Sequence, residues 1–145
     1  MIKVRLKKLN PRAKIPQYAT SGSSGLDLFA CLDKKLIINP KEVTLIPTGI
    51  ALEIPEGYEG QIRPRSGLSL KKRLLIPNSP GTIDSDYRGE IKIIIFNWGD
   101  EPVEIEHGQR IAQLVFQKVC KAYFEEVEEL SPTNRNTGGF GHTGL

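Results

Sequence analysis

Apolar residues recur at every second position along most of this chain, a period that suits strands and argues against amphipathic helices. Ile2, Val4 and Leu6 alternate with Lys3, Arg5 and Lys7, as in a strand with one buried face. Val43 and Leu45 alternate in the same way just before Pro47. Ile50, Leu52 and Ile54 alternate with Ala51 and Glu53, and Ile91, Ile93 and Ile95 lie on one face of a run ending near Trp98. Residues Ile111 to Val119 are rich in β-branched and aromatic side chains, which favour strands. Turn signals separate these runs at Asn39-Pro40, Pro55-Glu56-Gly57, Pro80-Gly81, Gly99-Asp100 and His107-Gly108. Many short strands at this spacing predict an all-β sandwich, jelly roll or barrel. One short helix is expected, over Leu68 to Arg73, with Ser66 as its cap.

Composition narrows the function. The 145 residues suffice for one self-standing core. Residues Met1 to Leu9 contain no apolar stretch of signal-peptide type, and the longest apolar run, Ile93 to Phe96, is far too short to span a membrane. A net charge of +3, with acids and bases interspersed, is too mild to imply nucleic-acid binding. It suits a small polyanionic ligand held by a few placed cations, and equally an ordinary mixed surface. Cys31 and Cys120 match neither a disulfide framework nor metal-ligand spacing. Both are expected as buried core thiols in a reducing, cytoplasmic setting. His107 and His142 fall in turn-like sequence, and neither a Ser-His-Asp arrangement nor a zinc motif is present, which disfavours acyl transfer and zinc hydrolysis.

The last segment is different in kind. From Ser131 to Leu145 there are four glycines and a single aromatic, Phe140, with almost nothing to bury. The chain therefore divides into a β domain over 1–130 and a C-terminal arm over 131–145. Composition alone favours a frayed tail. The run Gly138-Gly139-Phe140-Gly141 favours an arm that orders over a ligand, since flanking glycines let an aromatic ring lie flat on a planar group.

Four further stretches can carry chemistry. Pro64-Arg65-Ser66-Gly67-Leu68-Ser69 is a strand-to-helix turn whose amides can receive an anion, with Arg65 as a fork for phosphate oxygens. An ordinary helix cap with a surface arginine is an equally good reading, and no Walker motif is present. In Gly81-Thr82-Ile83-Asp84-Ser85-Asp86-Tyr87-Arg88-Gly89, an extended chain puts Asp84 and Asp86 on one face, where they suit metal binding or water activation. Solvated acids at a hairpin end are the commoner case. Gly25-Leu26-Asp27-Leu28-Phe29-Ala30 places a carboxylate inside an apolar strand, so Asp27 needs an arginine or a metal's water shell. Gly108-Gln109-Arg110-Ile111-Ala112-Gln113-Leu114 opens a strand with two polar side chains, Arg110 and Gln113, which taken alone read as solvent-facing.

These four stretches, followed by Arg135-Asn136-Thr137-Gly138-Gly139-Phe140-Gly141-His142-Thr143-Gly144, resemble the five motifs of the trimeric deoxyuridine triphosphatase (dUTPase) family, in order and spacing. The resemblance spans residues 25–144. It implies a jelly-roll homotrimer that hydrolyses dUTP to dUMP and pyrophosphate, limits uracil incorporation into DNA and supplies dUMP for dTMP synthesis. Sites at subunit boundaries would draw motifs from three chains, and no nucleic acid or membrane partner is implied. Asp84 matches the acid that orients the attacking water at the α-phosphorus. Tyr87 matches the ring beneath deoxyribose, where no ribose 2′-hydroxyl fits. Asn78, with Thr82 and Ile83 in the same hairpin, matches the uracil-contacting region. Arg65, Ser66, Gly67 and Gln113 match phosphate contacts, while Arg135, Phe140 and Gly141 match the arm's phosphate clamp and stacking ring. Asp27 matches an acid near the waters of a Mg²⁺ ion bound mainly through substrate phosphates, with no direct protein ligand. Two positions depart from the pattern: His142 replaces a small hydroxyl residue and Asn136 a glycine. A histidine can still donate to phosphate, with Arg135 and the arm backbone carrying more of the clamp. Two rivals differ in chemistry. A deoxycytidine triphosphate deaminase would carry a glutamate-centred third motif and end early in the arm. A non-catalytic jelly-roll binder would have no use for a water-orienting acid at position 84.

Overall fold

A computed structural model describes residues 1–144. Its elements run β1 (Arg5–Lys8), β2 (Gln17–Tyr18), β3 (Leu26–Phe29), β4 (Leu36–Ile38), β5 (Val43–Glu53), β6 (Tyr58–Arg63), α1 (Ser66–Lys72), β7 (Leu74–Leu75), β8 (Gly81–Ile83), β9 (Glu90–Asn97), β10 (Val103–Ile105) and β11 (Arg110–Lys118). One sheet has the order β1-β5-β9-β7, a second β2-β3-β11-β6-β8, and β10 pairs with β4. Every pairing is antiparallel. The result is the expected all-β, jelly-roll-like sandwich with one short helix.

Period-two patterning builds the core. On β9, Ile91, Ile93 and Ile95 turn inward and are almost fully buried, while Lys92 faces out. They meet Ile46 and Ile50 of β5, Leu28 of β3, Ile62 of β6 and Leu114 of β11 in one cluster. Each such side chain contributes about 1.5–3 kcal/mol relative to leaving it in water. No helix among the described residues is long and apolar enough to cross a membrane.

The structure corrects the expected cap and the expected place of several residues. The helix starts at Ser66, two residues early, and no side chain caps it. Arg65 is extended at the cap position, and its carbonyl accepts from the amides of Leu68 and Ser69 at 3.1 Å. Ser66 therefore already lies inside the first turn. Arg73 ends the helix in the left-handed region (φ 54). Val43 and Leu45 are more than half exposed. They sit opposite Phe96 and Ile94, and Leu75 also pairs with Phe96, so the outer face of the first sheet is an apolar patch. Cys31 is buried, and burial raises its thiol pKa, but Cys120 is exposed because it follows the end of β11.

Packing against the sheets ends with β11. Residues 119–144 contain no strand or helix, and nearly all are exposed. Tyr123, Phe124 and Leu130 lie in this stretch with their side chains in solvent, as does Phe140. Leu145, the last residue of the expected arm, lies outside the described residues.

Candidate active site

Two clefts carry most of the residues singled out above. The first, of about 270 Å³, is lined by Asp27, Arg65, Ser66, Gly67 and Gln113, with Ala19, Ser23, Ser24 and Gly25. Strand register explains the grouping. Asp27 on β3 stands directly opposite Gln113 on β11, and directly opposed residues share a face. Gln113 also pairs with Arg63, which brings the β6–α1 turn to the same edge. Gln113 Nε2 donates to the Pro64 carbonyl at 2.8 Å and so ties that turn to the sheet. A Cβ at position 25 would stand 2.6 Å from Gln113 Oε1, so glycine is what lets the glutamine lie there.

Asp27 has the partners that its apolar strand demanded. Its side chain is only 14% exposed, with Oδ1 3.0 Å from Arg65 Nε and Oδ2 3.3 Å from Arg110 Nη1. At the turn itself, the Ser66 and Gly67 amides open a helix that lacks a side-chain cap, and a Cβ at Gly67 would meet nothing within 4 Å. Open amides beside a guanidinium suit an anion.

The second cleft, of about 400 Å³, is lined by Asn78, Gly81, Thr82, Ile83, Asp84 and Tyr87, with Glu90, Lys92 and residues of the apolar outer face. Strand β8 is the edge of its sheet and pairs only with β6, which leaves one side of its backbone unpaired. The Ile83 side chain packs in the core, so only its backbone can meet a ligand directly. Tyr87 donates its hydroxyl to the Glu90 carbonyl at 3.0 Å, and its ring lies over Gly89 where a Cβ would collide with it. The phenol is thus fixed as a wall. Asp84 is exposed and also lines a third cleft beside Asp86. Here the expectation of a shared strand face fails. Strand β8 ends at Ile83, and Ser85 and Asp86 form a turn, so Asp84 and Asp86 are not on one strand face. No group of three or more His, Cys, Asp or Glu among the described residues is arranged to hold a metal ion.

The two clefts share no residue. Arg135, Phe140, Gly141 and His142 line neither of them. Among the described residues, their segment is held locally, by reciprocal bonds between Thr133 and Asn136 and by turns at Gly138, His142 and Gly144. Two contributors are not evident from the sequence: Arg110, which reads as solvent-facing but grips Asp27, and the Ser23-Ser24 pair, which lines the cleft ahead of Gly25.

The dUTPase family model matches residues 11–144 of this chain. The deoxyuridine 5′-triphosphate nucleotidohydrolase of Hydrogenobaculum sp. is 58% identical over 144 residues, covering 99% of either chain. The chain belongs to the dUTPase family. It is accordingly a hydrolase. Among solved dUTPases, that of Staphylococcus bacteriophage 80alpha with dUPNHPP superposes with a TM-score of 0.91 at 29% identity and covers 100% of both chains. A variant dUTPase from phage phi11 of S. aureus, whose structure details the coordination of a structural Mg(II) ion, superposes with a TM-score of 0.82 at 26% identity. It covers 90% of this chain and 100% of its own.

Proposed function

We propose that the chain hydrolyses dUTP to dUMP and pyrophosphate at sites shared between the subunits of a homotrimer. The observation that carries this reading is a pair of clefts with no lining residue in common, one chemically suited to phosphate and the other to a nucleoside. The relative named above acts on deoxyuridine 5′-triphosphate, and the phage enzyme was solved with dUPNHPP. A nucleoside triphosphate needs both kinds of cleft, and in the proposed trimer the phosphate cleft of one chain would serve the nucleoside cleft of another. The exposed apolar face of β5, β7 and β9 supports assembly, since a monomer gains nothing by leaving such a patch in water. The arm, packed against neither cleft of its own chain, would close over a site on a neighbour.

Within such a site the roles follow from chemistry. Arg65, the amides of Ser66 and Gly67, and Gln113 hold phosphate oxygens. Unpaired backbone groups of β8 and Asn78 read the uracil edge, where cytosine would leave buried groups without partners. Tyr87 lies against the sugar and excludes a 2′-hydroxyl. Asp84 orients a water in line with the α-phosphorus. Arg135 adds charge neutralisation from the arm, and Phe140 stacks on the base. Phosphoryl transfer needs such positioning and charge more than covalent catalysis. When bound, Mg²⁺ would supply further neutralisation of the phosphates, and Asp27 is the carboxylate of the phosphate cleft that would face its waters. The two free cysteines fit a reducing, cytoplasmic setting.

The test is direct. The purified protein is incubated with Mg²⁺ and either dUTP or dCTP. Pyrophosphate from dUTP and no ammonia from dCTP is the expected result. Ammonia would indicate a deaminase, and neither product a binding module.

A further inference from the structure

We infer that Arg110 is a positioning residue for the phosphate cleft: by gripping Asp27 it holds Arg65 so that the free end of that guanidinium stays available to phosphate. The inference rests on the reading that this cleft takes phosphate.

Arg110 and Gln113 are three residues apart on β11, and a regular strand would put them on opposite faces. The register is not regular. Arg110 pairs with Phe29 and Ala112 with Leu28, which leaves Ile111 as the extra residue of a β-bulge. Ile111 and Ala112, adjacent in sequence, are both buried at about 1% exposure or less. The bulge therefore turns both of them into the core and swings Arg110 onto the face that holds Asp27 and Gln113. Bulges re-aim side chains in this way at the edges of functional sites.

What Arg110 does there follows from the contacts of Asp27. A carboxylate held at one oxygen can rotate, because its terminal torsion has a broad, two-fold profile. With Oδ2 on Arg110 and Oδ1 on Arg65, both oxygens are occupied and the rotation is stopped. Arg65 comes closest to the carboxylate through Nε, and among the described residues its two terminal nitrogens donate no hydrogen bond to the protein. Those two nitrogens form the fork that grips phosphate bidentately. Asp27, at 14% exposure, is the least exposed of the three and joins Arg65, 28% exposed, to Arg110, half exposed.

A double-mutant cycle tests this. Wild type, Arg110→Gln, Arg65→Gln and the double variant are compared in kcat/KM for dUTP and, by calorimetry, in Kd for inorganic tripolyphosphate, with Arg110→Lys alongside. Asp27 keeps Arg65 when Arg110 is replaced, so Arg110→Gln is expected to fold with an unchanged melting temperature. It should lose roughly 10-fold in both quantities, as loss of an outer-shell partner typically does, and lysine should restore most of it. In the Arg65→Gln background the same change should cost nothing further, because the group being positioned is gone. An undiminished loss in that background would mean that Arg110 touches phosphate itself or only supports the fold, and would overturn the inference, as would no loss in the single variant. Coupling in tripolyphosphate binding without any pyrophosphate from dUTP would uphold Arg110 and sink the proposed reaction instead.

Discussion

The sandwich and the C-terminal segment are built on opposite terms. In the sandwich, every strand is paired, Ile91, Ile93 and Ile95 of β9 are sealed in, and even the charged Asp27 has a guanidinium on each oxygen. Residues 119–144 form no strand, and their aromatic residues Tyr123, Phe124 and Phe140 lie in solvent. On the proposed reading, rigid elements hold the groups that must be placed accurately, and an unpacked segment carries those that would arrive after the substrate. Stability and activity should therefore separate by region.

The sharpest contrast comes from two changes of opposite effect. Ile93→Ala empties part of the core and should cost about 2–5 kcal/mol, or roughly 5–15 °C in melting temperature for a chain of this size. The molecules still folded should turn over dUTP normally. Ending the chain after Pro132 should do the reverse: an unchanged melting temperature, with activity down about 10²-fold or more through loss of closure and charge. A large drop in melting temperature on truncation would show that the segment is structural, and the comparison would break there. Tyr87→Ala probes the nucleoside cleft on the rigid side. It should raise the UTP/dUTP turnover ratio roughly 10-fold, the scale on which a pocket senses one small group. An unchanged ratio would remove Tyr87 from sugar selection.

The smallest expected effect concerns pH. His107 Nδ1 accepts the Leu32 amide at 3.2 Å, which requires the unprotonated ring. Burial first, then Arg12 and Lys14, push its pKa below the ordinary value. A lowered pKa favours the neutral form in the folded state. The corresponding stability is present above about pH 6.5, the ordinary histidine value, and is lost as pH falls below it. Urea midpoints measured from pH 7.5 down to 5 should decline in wild type and stay flatter in His107→Asn, whose side-chain oxygen can accept the same amide. Equal declines would exclude His107 as the source.

Much of this architecture was legible in the sequence, and the failures have physical causes. Alternation announced β9, because Ile91, Ile93 and Ile95 have one face to fill. Asp27 announced its partners, because a carboxylate in an apolar strand has few other ways to exist. Alternation also announced β5, but it could not say that Val43 and Leu45 point away from their own core. A strand carries apolar residues for a neighbouring chain as readily as for its own sheet. The bulge at Ile111 was invisible because parity is broken by one inserted residue with no composition of its own. Asp84 and Asp86 were placed on one face by assuming extended backbone where the chain turns. The helix start was misread because Arg65, not a hydroxyl residue, takes the cap position.

In the proposed trimer, one functional site takes Asp84 from the hairpin of one chain and Arg135 from the C-terminal arm of another. Asp84→Asn and Arg135→Ala proteins should each be nearly inactive, the first by about 10²–10⁴-fold as for a lost general base. The two are then denatured, mixed in equal amounts and refolded, with subunit exchange confirmed by mass spectrometry. A site recovers when its hairpin comes from the Arg135 variant and its arm from the Asp84 variant. Counting in a cyclic trimer gives about one quarter of wild-type activity. Activity no higher than that of the unmixed variants would mean that both residues serve a site from one chain, and would contradict the shared site.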